Sequence, residues 1–249
     1  MAERRPTENA GGFAWSTDDV FGRIAARYDL LCDLFSLGLH RAWKRRVAHR
    51  LAAEPWGCLL DGATGTGDIV IRVLKRQPSQ ARRIVASDIS EGMLAIARRR
   101  LLAHAAVVEL RRLDAESMPS VADGSVDLYT ISLALKICNR RRVFHEALRI
   151  LRPGGRIIVL EASVIPMRFL QRAYLAYMSV CMPALGWLAT GGDASAYRYL
   201  LKGIRGFPGA ESLAEEMREA GFVDVEFERM SLGIVAIHEA RKPALGAGR

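Results

Sequence analysis

The sequence predicts an α/β fold: a doubly wound, mostly parallel seven-stranded sheet that ends in an antiparallel hairpin. Three observations carry this expectation. From about Gly57 to Glu161, short apolar runs alternate with helical patterns, the rhythm of a parallel sheet covered on both faces. A glycine-rich turn follows the first of these runs, where an open α/β sheet receives its ligand. Two alternating runs near the C-terminus follow a last helix and read as a hairpin. With 249 residues, the chain is long enough to bury a sizeable core.

Taken in order, Cys58-Leu59-Leu60 forms the first strand and enters the glycine loop. Arg83–Ala86 ends at Asp88, and Val107–Leu110 ends before Asp114. Val126–Ser132 and Arg156–Glu161 complete the parallel set. Helices are expected at Ile69–Arg76, at Gly92–Leu102 behind a Ser90 N-cap, and at Val143–Leu151, stopped by Pro153-Gly154-Gly155. Glu211–Ala220 is a further helix, capped by Gly221. The hairpin strands are Val223–Glu228 and Ile234–His238, joined through Ser231-Leu232-Gly233.

Two helical additions lie outside this sheet. Residues 17–53 carry Val20, Ile24, Leu31, Leu34 and Phe35 at roughly helical spacing, and residues 163–205 form an apolar insertion before the last helix. Within it, Ala173–Gly192 has no charged residue, a count sufficient to span a bilayer. Pro183, Gly186, Gly191 and Gly192 interrupt it, while Tyr174, Tyr177 and Trp187 suit an interface or a pocket wall, so a lid or shallow membrane contact fits better than a span. The expected organisation is a tail over 1–16, one domain over 17–243 with 163–205 as its lid, and a tail over 244–249.

Composition excludes several classes. The four cysteines, Cys32, Cys58, Cys138 and Cys181, are scattered without a CxxC pair, which argues against a zinc ribbon or disulfide framework and fits a reducing compartment. His40, His49, His104, His145 and His238 show no ligand spacing, so no metal is expected. The net charge of +9 is carried by scattered arginines, with no basic run interleaved with aromatics, which argues against nucleic acid. An anionic membrane surface remains a candidate partner. The N-terminus has no apolar run after its arginines and is no secretory signal. A cytoplasmic protein that touches the inner face of the membrane is expected, and self-association into a homo-oligomer is compatible with it.

The chemistry lies at the strand ends. In Asp61-Gly62-Ala63-Thr64-Gly65-Thr66-Gly67-Asp68, Gly65 and Gly67 allow close approach of a ligand to the backbone. A dinucleotide fingerprint would place a third glycine at Val70, and Asp68 would repel a phosphate. The next strand ends at Asp88, where a carboxylate accepts both hydroxyls of a ribose. Asp114-Ala115 follows the third strand, where an acid and the adjoining backbone reach an adenine edge. Together these describe an adenosine pocket without phosphate recognition, and S-adenosylmethionine is the cofactor that fits.

Family-specific runs reinforce this. Val20-Phe21-Gly22-Arg23-Ile24-Ala25-Ala26-Arg27-Tyr28-Asp29, Gly38-Leu39-His40-Arg41-Ala42-Trp43-Lys44, Ser195-Ala196-Tyr197-Arg198-Tyr199-Leu200 and Gly233-Ile234-Val235-Ala236-Ile237-His238 resemble the UbiE-type class I methyltransferases, which C-methylate ubiquinone and menaquinone precursors. The resemblance covers about residues 20–243. It implies cofactor contacts at Thr66, Asp88, Asp114, Ala115 and Ser132, beside Asp61, Gly65 and Gly67 of the loop, with Tyr28 and Asp29 closing over them. It also implies a polyprenylated quinol as acceptor.

The acceptor side departs from the family pattern. Where that pattern has Phe-Gly-(Leu/Ile)-Arg-Asn, this chain has Leu133-Ala134-Leu135-Lys136-Ile137. Lysine keeps the charge and loses the planar fork, and Ile137 offers no hydrogen bond. Lys136 is the candidate catalytic residue, stabilising a phenolate or acting as base. Two alternatives stay open: the same fold methylating another lipophilic phenol or a lipid headgroup, or a non-catalytic cofactor-binding member of a quinone-synthesis assembly.

Overall fold

A computed structural model describes residues 28–76, 82–190 and 195–244, excluding the side chains of 28, 185, 186 and 188–199. In chain order the elements are α1 (Tyr28–Ser36), α2 (Leu39–Leu51), β1 (Cys58–Gly62), α3 (Asp68–Arg76), β2 (Arg83–Asp88), α4 (Glu91–Leu101), β3 (Val108–Arg112), β4 (Val126–Ser132), α5 (Arg140–Ile150), β5 (Leu151–Ala162), α6 (Arg168–Thr190), α7 (Ser195–Gly206), α8 (Ala210–Glu219), β6 (Val223–Met230) and β7 (Val235–Arg241). The seven strands form one sheet in the order β3-β2-β1-β4-β5-β7-β6. β1 to β5 run parallel, and β7 pairs antiparallel with both β5 and β6. The chain order reverses beside β1, which puts the glycine loop at the sheet's switch point.

The near-continuous apolar strands are explained by two cores, one per face. Leu60, Val85, Tyr129, Ile131, Ile157 and Val159 pack with Val143, Phe144 and Met217 of α5 and α8. Their neighbours Leu59, Ile84, Leu128, Ile158 and Leu160 face the other way, against Val47 and Leu51 of α2 and Ile69, Val73 and Leu101 of α3 and α4. Each fully buried aliphatic side chain stabilises the fold by roughly 1.5–3 kcal/mol, so both faces must be covered. A third cluster joins Leu31 and Phe35 of α1 to Tyr174, Met178 and Met182 of α6 and to Leu200, Leu201 and Ile204 of α7.

Several boundaries differ from expectation. β5 begins at Leu151, straight after α5, and Pro153-Gly154-Gly155 sits inside it as an irregularity. The register jumps there, from Val126 opposite Leu151 to Leu128 opposite Arg156. Backbone bonds from Gly154 N to Lys242 O and from Lys242 N to Gly155 O, at 3.0 and 2.8 Å, hold the segment. α5 starts at Arg140, earlier than expected, because the Asn139 side chain accepts from Arg142 N. β3 runs on to Arg112, while Ser90 caps α4 by accepting from Met93 N at 3.2 Å. Val20 and Ile24 lie outside the described residues. Among the described residues, no helix is long and apolar enough to cross a membrane.

Candidate active site

The loop after β1 is built around two aspartates. Asp61 is buried at the end of the strand, and its Oδ2 accepts the Thr64 hydroxyl at 2.6 Å, while Oδ1 has no hydrogen-bond partner. Burial pushes its carboxyl up to about 7, against the opposing pull of Thr64 and Lys44. Asp88 closes the loop from the next strand: Gly65 N donates to its Oδ2 at 2.8 Å and Ser90 N to its Oδ1 at 2.9 Å. A carboxylate has about four lone-pair positions, and these two amides take one on each oxygen. Gly65 and Gly67 have φ of +58° and +81°, which glycine adopts without penalty. At Gly67 a Cβ would also lie 2.9 Å from the Leu101 side chain.

Beneath α1, α6 and α7, at the carboxyl ends of the strands, lies a largely apolar cavity of about 410 Å³. Of the residues expected from sequence, Gly65, Asp88, Asp114, Ala115, Ser132 and Lys136 line it. Asp114 Oδ1 accepts Glu116 N at 2.9 Å, which orients the carboxylate. Ser132 Oγ is buried without a hydrogen-bond partner. Ala63 and Leu133, both in the wall, have positive φ of 52° and 58°, an uncommon strain that marks a constrained site.

Asp61, Thr66 and Gly67 are not in that wall. Thr66 is buried, donating to Asp29 Oδ1 at 3.0 Å and accepting from Arg100 at 2.7 Å. Arg100 also bonds Asp29 Oδ2 at 2.8 Å, so this triangle ties α1 to the loop and to α4. Asp68 pairs with Lys44 at 3.1 Å and with Arg72; burial opposes its ionisation, but these cations outweigh it and hold its pKa below the usual value. The side chain of Tyr28 lies outside the described residues.

Lys136 is engaged rather than free. Its Nζ lies 3.1 Å from Glu161 Oε1 and also donates to Leu133 O. Glu161 is completely buried at the end of β5 and accepts Lys136 N at 3.1 Å and Ala162 N at 2.7 Å. Two of the three ammonium protons are thereby committed. An ammonium held by a buried carboxylate is suited to electrostatic stabilisation and poorly suited to accepting a proton. Glu161 was visible in sequence only as a strand end. Tyr174 and Tyr177 of α6, which the sequence offers for an interface or a pocket wall, line the cavity; His40 and Trp43 of α2 line it too, and sequence spacing alone did not assign them there. Among the described residues, no group of three or more His, Cys, Asp or Glu side chains is placed to hold a metal ion.

A seven-stranded sheet with a glycine loop, acid-bearing strand ends and a roofed apolar cavity is the architecture of a small-molecule methyltransferase. Solved structures share the fold: an S-adenosylmethionine-dependent methyltransferase of Thermotoga maritima, described as a possible histamine N-methyltransferase, superposes with a TM-score of 0.62 at 22% identity over 89% of this chain and 97% of its own. An O-methyltransferase family protein of Burkholderia thailandensis gives 0.63 at 18% identity, over 88% of this chain and 60% of its own. The model of the ubiE/COQ5 methyltransferase family matches residues 13–242. The ubiquinone/menaquinone biosynthesis C-methyltransferases UbiE of Dinoroseobacter shibae and Paracoccus denitrificans are 42% and 41% identical over 226 residues, 90% of this chain and 89% of each relative. The chain belongs to the ubiE/COQ5 methyltransferase family, and it is an S-adenosylmethionine-dependent methyltransferase.

Proposed function

We propose that this enzyme methylates a ring carbon of a polyprenylated quinol in ubiquinone or menaquinone biosynthesis; its 42%-identical relative is named a ubiquinone/menaquinone biosynthesis C-methyltransferase. The observation that carries the reading is one cavity running from the acids of the cofactor end to an apolar roof. Asp88, Asp114 and Gly65 of the strand ends share its wall with Ser132 and Lys136, and with Leu31, Phe35, Met178 and Met182 of α1 and α6. Such a cavity holds a polar ring beside a charged cofactor and an aliphatic tail away from it.

The residues present fit the cofactor. The unpartnered Asp61 Oδ1 is a buried acceptor suited to a cationic amino group, Asp88 to a ribose diol, and Asp114 with the backbone of Ala115 to an adenine edge. Thr66 serves by fixing the loop through Asp29 and Arg100. S-Adenosylmethionine supplies an electrophilic methyl group on a sulfonium. The chain aligns the acceptor ring in line with that group, roofs the site with α1, α6 and α7, and presents Lys136 and Ser132 to the acceptor oxygen.

A specific observation favours a second reading, methylation of another lipophilic phenol: Lys136 is bound to Glu161, and Ile137 beside it brings no donor. Quinone mass spectrometry of a deletion strain decides between them. Accumulated demethyl-quinone supports the quinol reading, and an unchanged quinone pool refutes it.

Contact with a membrane surface is part of the proposal. On α6, Phe169, Val180 and Trp187 are 69%, 71% and 57% exposed, and Leu30 and Leu34 of α1 are exposed as well. Large apolar side chains outside the core, beside a cavity for a lipid-soluble substrate, suit shallow insertion.

A further inference from the structure

The acceptor's hydroxyl proton needs a destination, and Lys136, held as an ammonium by Glu161, does not supply one. A different residue that can accept a proton lines the cavity. His40, in the first turn of α2, is 4% exposed and lines the same cavity as Asp88, Ser132 and Lys136. Its Nδ1 lies 3.0 Å from Ser36 Oγ and 3.5 Å from Asp33 Oδ1.

The hydrogen bonds around Ser36 set the tautomer. Ser36 Oγ donates its single proton to Cys32 O at 2.6 Å and accepts His40 N at 3.2 Å. With that proton committed, Oγ can meet Nδ1 only as an acceptor, so Nδ1 carries the hydrogen. The lone pair is then on Nε2, which forms no hydrogen bond among the described residues. Asp33, whose carboxylate is shared with Arg41, stands behind Nδ1 to favour the imidazolium once it forms. A base with its proximal nitrogen anchored and its distal nitrogen open is the arrangement that activates a hydroxyl.

We propose that His40 is the general base of the reaction, taking the hydroxyl proton of the phenolic acceptor on Nε2. The inference rests on the functional reading given above. As the O–H bond breaks, its electron pair enters the ring, and the ring carbon forms its bond to the methyl while the sulfur–carbon pair returns to sulfur. The methylated carbon then loses its own hydrogen to water, the pair restores the aromatic ring, and His40 returns its proton to the oxygen. One proton is released per methyl transferred.

The surroundings keep the imidazole neutral at rest. Burial lowers its pKa below the ordinary 6.5, Lys44 and Arg41 add to this, and Asp33 and Asp68 oppose it. These groups come from α1, α2 and α3. Activity limited by this base falls as pH drops through that lowered value.

The test is His40→Asn, whose amide can still reach Ser36 but provides no group at Nε2. Using the full-length enzyme with S-adenosylmethionine and a short-chain demethyl-quinol, turnover should fall on the order of 10²-fold. Cofactor affinity should stay within about twofold, and the acidic limb of kcat/KM should disappear. Independently of any variant, nitrogen NMR of the wild-type histidines should show an Nδ1-protonated neutral ring for His40, titrating below 6.5. A neutral ring protonated on Nε2 overturns the proposal, even where the variant fails to fold. So does near-wild-type turnover of His40→Asn on an acceptor that the wild type methylates. Failure of the wild type itself on every demethyl-quinol removes the functional reading, and this proposal with it.

Discussion

Replacing Asp61 by asparagine should stabilise the free enzyme and weaken its hold on the methyl donor. The carboxylate is 1% exposed, with one oxygen on Thr64 and the other unpartnered. Burial raises its pKa from 3.8 to about 7. Because the folded value is the higher, the stability linked to this proton is fully present below 3.8 and is lost as pH rises towards about 7. At roughly 1.4 kcal/mol for each tenfold in proton affinity, the loss above neutrality is on the order of 4 kcal/mol. Asparagine is uncharged throughout and can still accept from Thr64. At pH 8 the variant should therefore melt higher by roughly 8–16 °C, given about 2–4 °C per kcal/mol in a chain of this size. At pH 5 the difference should shrink, since Asp61 is then largely protonated.

Cofactor binding should respond in the opposite sense. A cationic amino group beside Asp61 restores the charge that burial disfavours, so binding releases a proton below about pH 7 and tightens as pH rises to it. Removing the charge forfeits a charge-assisted bond of about 1.5–3 kcal/mol, tenfold or more in Kd. Thermal melts at the two pH values, with calorimetric titration of S-adenosylmethionine, read both effects. An unchanged or lowered melting temperature at pH 8 together with unchanged affinity refutes the reasoning.

Asp88→Ala should weaken S-adenosylmethionine binding tenfold or more by calorimetry, because it removes the ribose acceptor and frees the Gly65 and Ser90 amides. Lys136→Ala should destabilise the protein by about 3–5 kcal/mol by stranding Glu161; Lys136→Met with Glu161→Gln should recover most of that in thermal melts. If the ammonium stabilises the acceptor oxygen, both variants should nonetheless lose on the order of 10²-fold in turnover, and wild-type turnover in either removes Lys136 from the reaction. The protein should co-sediment with anionic liposomes, with partial release at high salt; no binding at any lipid composition would confine the apolar surface of α6 to the free protein.

Local periodicity made most of the fold legible. Leu59 and Leu60, or Ile157 and Ile158, face opposite cores, and a strand apolar on both faces needs helices on both. The early start of β5 was hidden because Pro153-Gly154-Gly155 has the composition of a stop. It is held in the sheet by Lys242, a residue far along the chain. Likewise Asn139, followed by three arginines, gave no apolar signal for the first turn of α5, although its side chain is an ordinary cap. Asp88 and Asp114 were legible because a parallel sheet puts every strand end at one edge, so position in the strand is nearly position in the site.

The acceptor end follows a different logic. Lys136 read as a cation offered to substrate because nothing adjacent in sequence neutralises it; its partner, Glu161, arrives from the next strand. In an apolar wall an unpaired ammonium would bear several kcal/mol of desolvation, so a buried lysine implies a carboxylate even before one is located. The same reasoning gives meaning to His40, which lacked metal spacing and stood out in sequence only within the run Gly38–Lys44. Its environment comes from Ser36 and Asp33, one helix earlier, and from a roof supplied by residues far along the chain. The proposed cofactor groups sit on a sheet edge whose geometry topology dictates, whereas the proposed acceptor groups are set by which helices close over that edge. In the reaction proposed above, an ammonium paired with Glu161 and an imidazole anchored through Nδ1 would then divide the work, one holding negative charge on oxygen and the other moving its proton.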